Sequence, residues 1–123
     1  MPVYGKMVVK MKILAVSDQV EKSLSVPSVR DRMSGVELII GCGDLPYDYL
    51  EFLLTMLNVP LVYVPGNHDP VYNVRDPSTR AEGGTFLDGK LERVRGFWMA
   101  GLGGSIRYRP EGVNQYSQAE MYA

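Results

Sequence analysis

Three apolar runs in this chain each break off into a carboxylate or an amide, and that pattern narrows the folds open to it. "KILAVSD" spans Lys12 to Asp18, "VELIIGCGD" spans Val36 to Asp44, and "PLVYVPGNHD" spans Pro60 to Asp69. The runs are continuous, with β-branched content, and do not strictly alternate. Strands covered on both faces read this way, as in a parallel sheet. Between the second and third runs, Leu50, Leu53, Leu54 and Leu57 of "PYDYLEFLLTMLN" fall at i, i+3, i+4 and i+7 and make one apolar helical face. Pro46 suits the first turn of that helix, where a missing N–H costs nothing. A βαβ unit follows. A short helix over Ser28 to Met33 fits the first connection, which Pro27 interrupts.

Beyond residue 70, "VYNVRDPSTRAEGGTFLDGK" is rich in turn formers and reads as a long loop. "KLERVRGFWMAGLGGS" then reads as two short strands turning at Arg95-Gly96, with Trp98 in the core or an interface. In "YSQAEMYA", Ser117 and Glu120 form a capping box, yet the sequence stops at Ala123. A lone helical turn does not offset its nucleation cost, so the sequence reads as cut.

A chain of 123 residues, 46% hydrophobic and 22% charged, is one domain able to build a core without disulfides. Thirteen basic and fourteen acidic residues balance to −1, which excludes wholesale attraction to nucleic acid or anionic membrane but leaves room for a local basic patch. The single cysteine, Cys42, can form neither an internal disulfide nor a Cys-rich zinc site; it reads as a small buried core residue in a reducing, cytoplasmic setting. No apolar run approaches the roughly 18 residues of a membrane span. The N-terminus lacks a cleavage-site pattern, and residues 1–10 read as an ill-defined lead-in, with Met7 or Met11 as alternative starts.

Ligands of open parallel sheets bind beyond the carboxyl ends of the strands. Asp18, Asp44 and Asn67-His68-Asp69 are therefore expected on one edge. Oxygen donors with one imidazole suit a divalent metal such as Mn²⁺ or Mg²⁺. A carboxylate such as Asp44 can bridge two metals about 3.5–4 Å apart, which activates water and clamps a phosphate. Taken singly, an aspartate after a strand is commonly a cap or turn residue, and an exposed histidine a plain polar group. Three such strand ends together point to a site, and Gly41, Gly43 and Gly66 permit tight turns there.

"ILAVSD", "IIGCGD", "VPGNHD" and "MAGLGGS" together resemble the calcineurin-like metallophosphoesterases, from Met11 to the end of the chain. "GNHD" with an upstream "GD" is the specific part, whereas "GLGGS" alone is weak. The resemblance implies an α/β fold of two packed sheets flanked by helices, with a dinuclear metal site at the strand ends. Residues 1–123 would be the N-terminal portion of such a domain. Asp18 would bind the first metal, Asp44 would bridge both, and Asn67 would bind the second. His68 would contact the phosphate or protonate the leaving oxygen, and Asp69 would orient His68. Mn²⁺ leads among the metals, with Fe, Zn, Ni or Mg as substitutes. The implied activity is metal-dependent hydrolysis of phosphate mono- or diesters by activated water.

Two departures bear on this. Val20 stands where the family's Asp-x-His motif has a ligand histidine, and no second histidine follows His68. Each metal would then have two protein ligands if Asp44 bridges. One sheet face would also lack part of its cover, leaving apolar surface exposed unless a second copy dimerises or swaps onto it. The alternative function is a catalytically inactive phosphoesterase-fold protein used for binding or assembly. A nucleotide-binding protein is a third reading, against which stands the absence of Gly-x-Gly-x-x-Gly after the first strand. Arg107 and Arg109 read as a solvated loop before a phosphate contact.

Overall fold

The computed structural model describes residues 10–106 and 113–121. In chain order the elements are β1 (Ile13–Val16), α1 (Val29–Arg32), β2 (Leu38–Gly41), α2 (Tyr47–Leu57), β3 (Leu61–Tyr63), β4 (Thr85–Phe86), β5 (Leu91–Val94), β6 (Phe97–Ala100), β7 (Ser105–Ile106), β8 (Gln115–Tyr116) and α3 (Gln118–Met121). The fold is mixed α/β. Strands β1 to β4 pair in sequence order as a parallel sheet. Strands β5 and β6 form a hairpin, and β7 and β8 a short parallel pair.

Register explains why the apolar runs are continuous. Leu14 lies opposite Ile39, Ile39 opposite Leu61, and Gly41 opposite Tyr63. That row packs with Val29 of α1 and Leu50 and Leu53 of α2. The intervening row, Leu38, Ile40 and Val62, faces Val94 and Met99 of the hairpin. Each strand therefore needs apolar residues at successive positions. Helix α2 buries Leu50 and Leu53 and half-buries Leu54 and Leu57; each fully buried leucine contributes about 1.5–3 kcal/mol. Pro46 is its N-cap, and Asn58 ends it in a left-handed conformation (φ 51°) with its N–H on Leu54 O at 2.9 Å.

The short helix expected over Ser28 to Met33 is present as Val29–Arg32. The hairpin turns at Arg95-Gly96, both at positive φ (53° and 82°), as a two-residue primed turn requires. The Ser117–Glu120 capping box also closes: Glu120 N donates to Ser117 Oγ at 3.1 Å and Ser117 N to Glu120 Oε1 at 3.0 Å. The loop after residue 70 is knitted by its own side chains. The Asp76 carboxylate caps a 3-10 turn at Pro77–Thr79, and the buried Thr79 hydroxyl accepts from Asn73 N at 2.9 Å.

One expectation fails and another is narrowed. Cys42 is exposed, not part of the core. It lies one residue past β2 on the hairpin face, where cover is incomplete, and lines a cleft of about 280 Å³ with Ile40, Val62, Val64 and Met99. Trp98 is 67% exposed, so it is not a core residue; its ring carries the Arg93 guanidinium at 5.9 Å. Ile13, Leu91 and Phe97 are also exposed, so apolar surface lies open on the sheet and hairpin. Arg107, Arg109 and most of the 1–10 lead-in lie outside the described residues. Among the described residues no helix is long and apolar enough to cross a membrane.

Candidate functional site

All five residues expected at the carboxyl edge of the sheet are there, tied together by hydrogen bonds between loops. After β1, Asp18 N donates to Gly43 O at 3.1 Å, joining the first loop to the second. After β2, Asp44 N donates to Asp69 Oδ2 at 2.8 Å, joining the second to the third. A return bond runs from His68 N to Asp44 Oδ1, also at 2.8 Å.

The backbone reaches this arrangement through left-handed conformations. Asp18 has φ 66°, Gly43 φ 99° and Asp44 φ 59°. Aspartate tolerates this region better than most residues, but for an L-residue it still costs roughly 1–2 kcal/mol. Gly66 is required by contact. A Cβ there would overlap the Asp44 carboxylate and lie 2.7 Å from Asp44 N. The Asp44 side chain thus occupies the space that a side chain at position 66 would need.

Each metal-candidate carboxylate is held by one oxygen. Ser17 Oγ donates to Asp18 Oδ2 at 2.5 Å, and Asp44 Oδ1 takes the His68 amide. Among the described residues the other oxygen of each takes no hydrogen bond, neither carboxylate pairs with a cation, and the ion pair is Arg80–Glu82. Asn67 and His68 sit side by side, Nδ2 to Nε2 at 3.4 Å, with the His68 residue exposed. Oxygen donors of this kind suit a hard divalent cation. Among the described residues no three His, Cys, Asp or Glu side chains stand together as a ligand set, so a metal at this edge would need a further donor such as the Asn67 amide.

Asp69 has a different task from the one the resemblance implies. It is 7% exposed, and its Oδ2 accepts from both Asp44 N and Gly66 N at 2.8 Å. No hydrogen bond joins it to the His68 ring. The carboxylate turns inward because two backbone amides at the strand ends need an acceptor. Near it lies Tyr47, whose buried hydroxyl has no hydrogen-bond partner among the described residues. Burial first, and the Asp69 charge second, push the Tyr47 phenol far above its ordinary value, so it stays protonated.

Asn114, which no sequence motif marks, locks the same turn. Its Nδ2 donates to Gly66 O at 3.3 Å and Asp69 O at 3.1 Å. The "GLGGS" segment is also fastened to the site: Gly104 N donates to Pro65 O at 2.7 Å, and Gly103 N to Asp88 Oδ1 at 2.9 Å. Val20, 40% exposed, lines a cavity of about 420 Å³ with Ser25, Pro46, Asp48, Tyr49 and Phe52.

Compared with protein-family models, with curated proteins and with solved structures, the chain matches none of them.

Proposed function

We propose that the chain is a metal-dependent phosphoesterase of the calcineurin-like kind, acting in the cytoplasm on phosphate mono- or diesters. The observation that carries this reading is the cross-tied edge. Two aspartates from successive parallel strands are held there, each with one carboxylate oxygen free of hydrogen bonds from the described residues, beside Asn67 and an exposed His68. Asp18, Asp44 and Asn67 would hold the divalent metal, Mn²⁺ first, and a bound ion supplies a water acidic enough to attack phosphorus near neutral pH. His68, at the rim, would contact the phosphate or protonate the departing oxygen. Asp69 keeps the third loop on the second, which sets the distance between Asn67 and Asp44. A single, exposed cysteine fits a reducing compartment.

A second reading is a non-catalytic protein that keeps this fold for binding. It is favoured by the exposed, apolar Val20 and by a ligand set that needs an amide to reach three donors. Hydrolysis of bis(4-nitrophenyl) phosphate with and without Mn²⁺, with Asp44→Asn alongside, separates the two. Manganese-dependent turnover lost in the variant is the expected result. No turnover in either protein favours the binding module, and turnover unchanged in Asp44→Asn sinks the assigned site.

A further inference from the structure

We propose that the organic part of the ester occupies the cavity next to the two aspartates, and that the substrate is a phosphate ester of an uncharged aromatic alcohol. This rests on the phosphoesterase reading above. The cavity is about 420 Å³, within the ~300–1,000 Å³ usual for small-molecule sites. Its position follows from the chain. Val20 is two residues beyond Asp18 and Pro46 two beyond Asp44, so each lies at most about 7 Å from its aspartate, Cα to Cα. The wall is built from the loop after β1 and the start of α2, both of which leave the sheet at its carboxyl edge.

The lining selects the occupant. Val20, Pro46, Tyr49 and Phe52 offer apolar and aromatic surface, and Tyr49, 5% exposed, is fixed in the core. The charged lining residue is Asp48, an anion whose Oδ1 is already held by Tyr49 N at 2.9 Å. A phosphate is repelled there and would be left to the side where Asp18 and Asp44 would hold a metal. An aromatic ring suits the apolar lining of Val20, Pro46 and Phe52, and its electropositive edge tolerates a carboxylate. Hydrolysis consumes one water. Its oxygen bonds to phosphorus, the P–O bond to the aryl oxygen breaks, and that oxygen takes a proton to leave as the aryl alcohol.

Calorimetric titration with 1-naphthyl phosphate and methyl phosphate, in Mn²⁺ buffer, tests the cavity. The naphthyl ester should bind at least about tenfold more tightly. Val20→Trp, at an exposed position that tolerates bulk, should fill the cavity and remove that preference. Equal affinity for the two esters, no detectable binding of either, or a preference that survives Val20→Trp overturns the assignment. Phosphate release, followed in parallel, judges the premise separately. Failure to hydrolyse both esters and bis(4-nitrophenyl) phosphate defeats the phosphoesterase reading and the substrate with it, whereas hydrolysis without a naphthyl preference defeats the cavity alone.

Discussion

Removing the Asp69 carboxylate should cost more stability than its place in a loop suggests. One oxygen of this 7%-exposed side chain accepts two backbone amides, Asp44 N and Gly66 N, both at 2.8 Å. Asp69→Ala leaves both donors without an acceptor, at about 1–3 kcal/mol each. The sum, about 4 kcal/mol, is a large part of the ~5–15 kcal/mol that holds a domain folded. Asp69→Asn keeps the shape and an acceptor oxygen but loses the charge. Charge-assisted bonds are roughly twice as strong as neutral ones, so this variant should lose about 2 kcal/mol. Urea unfolding followed by far-UV circular dichroism is the suitable assay, because Trp98 is 67% exposed and reports poorly on the core. With m near ~2 kcal/mol/M, the midpoint should drop by about 2 M for the alanine variant and about 1 M for the asparagine. A drop below roughly 0.5 M for Asp69→Ala, or equal drops for the two variants, would refute the two-amide clasp.

Gly66→Ala should destabilise by about 2 kcal/mol or more, since the added methyl overlaps the Asp44 carboxylate, and Mn²⁺ titration should show weakened binding. Tyr47→Phe should raise the melting temperature or leave it unchanged, because it removes a buried hydroxyl with no partner among the described residues, a gain of up to about 1 kcal/mol. In the loop after residue 70, Asp76 accepts from Ser78 Oγ at 2.7 Å and Ser78 N at 3.0 Å, and these bonds hold its carboxyl below the ordinary value. Its contribution to stability is therefore present above the ordinary carboxylate range and is lost as pH falls through the folded value. Carbon-detected NMR titration should show this depression, and Ser78→Ala should reduce it.

Much of the architecture was legible because burial on both faces leaves a strong mark. Strands β1 to β3 read as continuous apolar runs, and the leucine spacing of α2 gave its buried face. Strand β4 was not visible. Thr85-Phe86 is too short to show a period, and it joins the sheet through Val62 and Tyr63, residues distant in sequence. Cys42 was misjudged because an apolar run says nothing of whether its last residue will be covered. At the site, the aspartates, Asn67 and His68 stood out as polar groups ending buried strands. The tasks of Asp69 and Asn114 did not. Backbone amides left over at strand ends carry no sequence signal, so only the folded loops show which side chains satisfy them.

The same loops decide which substitution can test the chemistry cleanly. Asp44 combines a left-handed backbone, a hydrogen bond from the His68 amide and a negative charge. Alanine would remove the hydrogen-bond acceptor and the charge and sit badly at φ 59°, at a cost of about 1–2 kcal/mol from the backbone alone. Lost activity in Asp44→Ala could then reflect a displaced His68 as readily as a lost ligand. Asparagine enters the left-handed region as readily as aspartate and offers an amide oxygen to the same N–H. Asp44→Asn changes the charge and little else. The more tightly an edge is cross-tied, the less a simple truncation there can say about function, and at this edge every ligand candidate is either a tie or the neighbour of one.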